Sequence, residues 1–332
     1  REKPWKLKYL GVGNENWGCG GNMSAEQYSA LYKQYQTYCR NYGANQLYKV
    51  ACGPNGDDYN WTKVITENIT PWHMNALSLH YYTVPKGQWE DKGNATGFTD
   101  EEYYITLEKT WYMETLVKRH CDILNINNPE NNIKLVVDEW GTWYNVEEGT
   151  NPGFLFQQNT MRDAMVASIN LNIFNSHCDR ISMANLAQAV NVLQALILTE
   201  GEKMILTPTY HVFDLYKNHQ NAELCYSSIE DEKQEEYNLP IISQSVSVNS
   251  DNEMTLTVSN CSLTECKTIE ADIRGFSFDS VRARILSAES NAHNTFDEPE
   301  NVTITEFDKI TKIDSGITFT LPPCSVVEII LS

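Results

Sequence analysis

Residues 133–139 read IKLVVDE, and the way this stretch folds decides the architecture. Isoleucine, leucine and two valines follow one another with a single lysine among them, so no alternation separates a wet face from a dry one. A strand of this kind is buried on both faces, as in a parallel sheet covered by helices. It ends in two acids, Asp138 and Glu139, and runs on into WGTWY.

The same texture recurs on both sides. Residues 7–12, 46–52, 75–82 and 181–186 read as further short strands, separated by helical patterns. Ser24 with Gln27 three residues on has capping-box spacing, and Tyr28, Leu31, Tyr32, Tyr35, Tyr38, Cys39 and Tyr42 follow at helical intervals to Gly43. That tyrosine stripe reads as a buried helix face. Other helices are expected near residues 61–67, around Leu107, Trp111 and Leu116, and around Met161, Met165, Ile169 and Ile173. Strand, helix, strand in repetition means parallel βα units. Without a GxGxxG turn or a P-loop, a barrel is favoured over an open doubly wound sheet.

After about residue 206 the pattern changes to QSVSVNS, EMTLTVSN, GITFTL and SVVEIIL, strand-length runs between Asn, Asp, Ser and Gly turns. An antiparallel β-sandwich is expected there, with residues 230–236 and 291–300 as solvated loops. The division is a barrel portion over residues 1–205 and a sandwich over 206–332.

Composition sets limits. The 332 residues include 18 tyrosines and carry a formal charge of −19, unsuited to a nucleic-acid or anionic membrane partner but not to a neutral sugar. Nine cysteines are scattered without CxxC pairs, which signals neither a zinc site nor a disulfide framework. No stretch is long and apolar enough to span a bilayer. No signal peptide is visible, and the chain opens abruptly at Arg1, so the compartment, cytoplasmic or periplasmic, stays open.

Two acids stand at strand ends: Glu15 in GVGNENWGCGG and Glu139 in VVDEWGTWY. Parallel barrels collect their chemistry at that rim. A pair of carboxyl groups is the equipment of glycoside cleavage, one protonated to assist the leaving oxygen and one ionised to attack or to activate water. Trp17, Trp140, Trp143, Tyr81, Tyr82, His80 and Asn14 supply aromatic platforms and polar groups at strand ends. Asp138 competes with Glu139, since neighbours on a strand point oppositely, and the residues alone do not choose between them. Gly11, Gly13, Gly18, Gly20 and Gly21 are expected to let the backbone pass close to a sugar.

Taken together, GVGNENWGCGGNM, LSLHYYTVP, VDEWGTWY, TNPGFLFQQNTMRDA and ANLAQAVNVLQALILT closely resemble the bacterial α-L-arabinofuranosidases of glycoside hydrolase family 51. The resemblance implies a retaining, exo-acting hydrolase on a (β/α)8 TIM barrel followed by a β-sandwich. It makes Glu15 the general acid/base and Glu139 the nucleophile. Asn14 would bond the sugar 2-hydroxyl, Tyr82 would hold the nucleophile's carboxylate with His80 close by, Trp143 would pack beside the furanose and Gln188 would reach the sugar. A histidine satisfied within the fold is the competing reading of His80, and rim packing that of Trp17 and Trp140. No cofactor or metal is implied. The partner is an arabinose-containing oligosaccharide or polysaccharide, and a homo-oligomer is expected of the full-length chain.

In the family Glu15 marks the fourth strand, so this chain is expected to hold strands 4–8 only. The first three would come from the same polypeptide or a partner, and without them the chain is expected to aggregate and turn over poorly. A related xylanase or galactanase activity, or an inactive truncated chain that only binds carbohydrate, are the alternative readings.

Overall fold

The computed structural model describes residues 5–230, 233–234 and 237–332. Two compact units emerge: Arg1–Tyr81, Met113–Trp140 and His177–Asn185 form the first, and Tyr82–Tyr112, Gly141–Ser176 and Leu186–Ser332 the second.

A five-stranded sheet has the order β1 (Tyr9–Val12), β2 (Tyr48–Ala51), β3 (Ala76–Thr83), β4 (Lys134–Thr142), β5 (Ile181–Leu186). The pairs β1–β2 and β2–β3 are parallel, and a helix precedes each next strand: α1 (Ala25–Gln36), α2 (Tyr59–Asn68), α3 (Asp100–Asn127) and α4 (Met161–Ser176). Sequential order with helical crossovers is what continuous apolar strands require, because both sheet faces must be covered. Within the first unit Val50, Ala76 and Val136, from three neighbouring strands, form one apolar cluster with Tyr48 and Met183 against it.

The first helix corrects the sequence reading. Ser24 caps it, its Oγ accepting from Gln27 N at 3.2 Å, but the helix stops at Gln36 instead of running to Gly43. Tyr28 and Tyr32 are buried as expected, whereas Tyr35, Tyr38 and Tyr42 are 61%, 71% and 72% exposed. The reason is positional. Tyr28 is locked between two strands, donating its hydroxyl proton to Val12 O and accepting from Cys52 N, and its ring stacks on Trp61. Tyr35 and Tyr38 lie farther along, over an open cavity of about 440 Å³ lined also by Leu10, Leu31 and Met23. β1 is the sheet's edge strand among the described residues, so nothing there closes over them.

In the second unit a six-stranded antiparallel sheet and a three-stranded one enclose a core. The first is ordered β15 (Thr305–Glu306), β14 (Val281–Ser287), β18 (Ser325–Leu331), β12 (Met254–Asn260), β11 (Ile242–Val248), β8 (Glu223–Leu224). The second is ordered β13 (Lys267–Asp272), β17 (Gly316–Leu321), β16 (Ile310–Ile313). Leu256, Val258, Ile285, Ile317, Phe319, Val327 and Ile329 meet between them. Two-stranded ladders, β6 (Ile197–Glu200) with β7 (Lys203–Leu206) and β9 (Lys233–Gln234) with β10 (Leu239–Pro240), complete the strands.

The other face of the large sheet is not wet. Ser243, Ser245, Thr257 and Ser259 are buried there, and Asn172 of α4 bonds Ser243, Ser245 and Thr257 at 2.9–3.1 Å. That is why α4 is buried nearly all round: it has the sheet's hydroxyl face on one side and α5 (Pro208–Tyr216) on another.

The segment 291–300 is irregular, as expected of a loop, but not simply solvated: Asn294 is buried and bonds Leu206 O and Val302 O. Of the polar stretch 230–236, residues 231, 232, 235 and 236 lie outside the described residues. No helix among the described residues is long and apolar enough to cross a membrane.

Candidate active site

Glu15 is presented by a self-supporting bend after β1. Its backbone is left-handed, φ 45°, unusual for a residue with a side chain. The strain is held by Glu15 O, which accepts from Gly18 N at 2.8 Å and Gly20 N at 2.9 Å. A Cβ on Gly20 would stand 1.8 Å from Asn14 O, and one on Gly13 2.2 Å from Asn16 Oδ1. Glycine at 13 and 20 is therefore demanded by the bend's own backbone and by Asn16. Gly11 and Gly18 meet only ordinary contacts within the chain. Trp17 Nε1 donates to Gly53 O at 3.1 Å, pinning the bend to the segment after β2. Asn14 is exposed.

His80, on β3 and 4% exposed, is the hub of the site. Its Nδ1 lies 3.0 Å from Glu15 Oε1 and 3.0 Å from Glu139 Oε2, and its Nε2 lies 3.1 Å from Asp138 Oδ1. Asp138 and Glu139, the two candidates left open by the sequence, thus approach opposite edges of one imidazole. Glu15, His80 and Glu139 each place a donor atom within 4.8 Å of the other two. Cys19, four residues after Glu15, donates its thiol to Glu15 Oε2 at 3.1 Å.

The electrostatics follow from this cage. Burial opposes a charge on His80, but hydrogen bonds to Asp138 and Glu15 and the charges of Asp138 and Glu139 outweigh it, and its pKa rises to about 9. Reciprocally, the His80 hydrogen bond holds Glu15 below the ordinary carboxylate range, against burial and with help from Cys19. At neutral pH the shared proton resides on the imidazole. The same three donor types could ligate a divalent cation, so the donor set does not by itself define a proton site.

Tyr82, Trp143 and Gln188 fall in the second unit. Tyr82 and Trp143 pack edge to face with ring centroids 4.9 Å apart, and Trp143 N donates to Thr83 O at 3.1 Å. Gln188 lies two residues past β5, exposed, its N donating to Val192 O at 3.1 Å. Trp140, an even choice from sequence, is fully buried and belongs to the packing. Sequence reasoning passed over Cys19, and also Trp89, whose ring centroid stands 5.2 Å from that of Trp143. NENWGC offered a signal for Cys19: spacing i to i+4 across a glycine-rich bend. Trp89 had none, being a lone aromatic in a polar loop.

Comparison with known proteins accords with this picture. The profile of the alpha-L-arabinofuranosidase C-terminal domain matches residues 138–325. An intracellular exo-alpha-L-arabinofuranosidase of Bacteroides ovatus is 43% identical over 99% of this chain, which spans 64% of that relative's length. The crystal structure of the family 51 arabinofuranosidase from Xanthomonas axonopodis pv. citri superposes with a TM-score of 0.92 at 38% identity, over 100% of this chain and 68% of that one. An arabinose complex of the Thermotoga maritima α-L-arabinofuranosidase, 22% identical, shares the fold with a TM-score of 0.82 over 100% of this chain and 67% of that one. The chain belongs to the α-L-arabinofuranosidases of glycoside hydrolase family 51.

Proposed function

We propose that the whole protein releases terminal non-reducing α-L-arabinofuranosyl residues from arabinan- or arabinoxylan-type oligosaccharides, with retention. The observation that carries the reading is the pair Glu15 and Glu139, with carboxylate oxygens within 4.8 Å of each other. Retaining glycosidases hold their two carboxyl groups about 5 Å apart, inverting ones roughly 6.5–9.5 Å.

In this mechanism Glu139 attacks the anomeric carbon while Glu15 gives a proton to the leaving oxygen, forming a glycosyl ester on Glu139. Glu15 then takes a proton from water, which opens the ester and restores both acids. Between turnovers the proton sits on His80. A sugar that excludes water from Glu15 raises that carboxyl's proton affinity, and the 3.0 Å hydrogen bond from Nδ1 is the route by which it is charged. Asn14, Tyr82, Trp143 and Gln188 are assigned to the sugar by the family resemblance. The five parallel strands are assigned as strands 4–8 of a (β/α)8 barrel, with the boundary to the sandwich near residue 205.

A panel of aryl glycosides tests the reading, assayed with the full-length protein. The α-L-arabinofuranoside should be hydrolysed with release of the same anomer. Preference for a xyloside or galactoside, or an inverted product, would overturn it.

A further inference from the structure

The cage around His80 meets the requirements of a metal cation as well as those of a proton. Glu15, His80, Asp138 and Glu139 all belong to the first unit, so their mutual geometry is set within one compact body. His80 Nδ1 stands 3.0 Å from Glu15 Oε1 and 3.0 Å from Glu139 Oε2. Nitrogen and oxygen ligands about 2.0–2.1 Å from a tetrahedral zinc ion lie roughly 3.3 Å apart, so both of these edges are close to length. The two carboxylate oxygens lie within 4.8 Å of each other, and a small swing of either partly exposed side chain closes the third edge.

The surroundings of the ring point the same way. A metal-binding histidine ordinarily donates its other ring N–H to a carboxylate, which fixes the ring and raises its basicity. Asp138 occupies that place, its Oδ1 3.1 Å from His80 Nε2. His80 is buried, so packing holds the ring before an ion arrives, while Glu15 and Glu139 are partly exposed and leave a fourth position open to water.

Charge favours the exchange. Three carboxylates face one imidazole, so with its proton the cage keeps a net charge of −2, and with a divalent ion on a neutral ring −1. The ion takes the Nδ1 lone pair, and the proton there leaves to solvent. The chain's formal charge of −19 adds a field that gathers cations. An imidazole nitrogen in the set selects zinc-type ions over magnesium and calcium, which prefer oxygen throughout.

We propose that Glu15, His80 and Glu139 form a three-ligand site for a zinc-type divalent cation, backed by Asp138, and that its occupation arrests turnover. The site stands on this geometry alone. The arrest rests on the proposed function, because the ion holds the two carboxylates that hydrolysis needs.

The test uses the full-length protein, freed of metal with a chelator and titrated with zinc chloride by calorimetry, with cobalt(II) as the spectroscopic probe. Cobalt should show the strong visible absorption of a four-coordinate site, and equimolar zinc should bleach it while magnesium does not. Glu15→Gln and Glu139→Gln keep the side-chain shape and should each weaken zinc binding at least about tenfold, and His80→Gln more. Asp138→Asn should weaken it about tenfold through the ring it holds. Cys19→Ser should leave the affinity unchanged, since the ligand set contains no sulfur. Only the weak spectrum of six-coordinate cobalt, unchanged zinc affinity in Glu139→Gln or His80→Gln variants whose circular dichroism shows them folded, or affinity lost in Cys19→Ser would overturn the site. Zinc should inhibit hydrolysis of an aryl α-L-arabinofuranoside competitively, with chelator restoring it, and undiminished hydrolysis with zinc bound would overturn the arrest. A protein that binds zinc through these ligands yet hydrolyses no arabinofuranoside when metal-free keeps the site and loses the functional reading.

Discussion

Two buried histidines of the first unit show opposite chemistry. His80 sits at the strand-end rim among Glu15, Asp138 and Glu139, and its pKa rises to about 9. His120, on α3, is fully buried, and its pKa falls to about 4. Burial opposes the charged imidazole in both. What differs is the company. His120 Nε2 donates to Gly56 O at 2.8 Å, so its Nδ1 accepts from the Thr62 hydroxyl at 2.8 Å, and a neutral ring satisfies both partners. His80 has anionic oxygen at both edges and is satisfied only when charged. One histidine is a structural peg between helices, and the other is a proton held between acids. Residue type and burial do not separate them, whereas the charge of the partners does.

The comparison breaks most visibly in turnover. Glu139→Ala should abolish hydrolysis of aryl arabinofuranosides, because no glycosyl ester can form. Glu15→Ala should lower turnover of poor leaving groups by roughly 10²–10⁴-fold, and for good leaving groups should spare only the first step, leaving hydrolysis of the ester slow. Azide should then give a retained glycosyl azide, and an inverted azide would show that the two roles are exchanged. Thr62→Val, beside the other histidine, should leave the catalytic constants unchanged.

Stability against pH sharpens the contrast. His80 binds its proton more tightly folded than unfolded. Its contribution, about 3 kcal/mol, is complete below pH 6.5 and is lost as the pH rises through about 9. For His120 the sign reverses: a contribution of about the same size is complete above pH 6.5 and is lost as the pH falls towards 4. His219 of the second unit, also lowered to about 4 by burial, acts in that acid window too. Urea denaturation from pH 4 to 9.5 should show both limbs, and His80→Gln should remove the alkaline one. An unchanged alkaline limb in that variant, or an imidazole NMR titration of His80 below 7, would break the assignment.

Smaller effects follow from single hydrogen bonds. Thr62→Val strands His120 Nδ1 without a donor in a dry interior and should cost about 1–3 kcal/mol by urea midpoint. Cys19→Ala removes one of the hydrogen bonds holding Glu15 low, so the alkaline limb of kcat/KM, where the general acid loses its proton, should move to higher pH, and Cys19→Ser should restore it.

Much of the fold was legible because burial imposes a period. IKLVVDE announced a strand covered on both faces, and β4 runs Lys134–Thr142. QSVSV and TLTVS announced alternating strands, and β11 and β12 pair in that register. The tyrosine helix misled, because periodicity shows which side chains share a face but not where the opposing surface ends. Asn172 was equally silent, since a polar residue in an apolar helix gives no sign of the hydroxyl-lined sheet it meets.

The sequence by itself determined the element order, the two acids on β4 and just past β1, and the family motifs that hold them, because these are properties of local pattern; β4 runs on past Glu139 to Thr142, farther than the pattern indicated. Only the tertiary structure decided that His80 stands between both acids with Asp138 on its far edge. Only there does the bend after β1 turn Cys19 back onto Glu15. The relations through His80 join residues 65 and 124 positions from Glu15. A proton's place among such groups depends on distances of about 3 Å and on excluded water, which no spacing along a chain encodes.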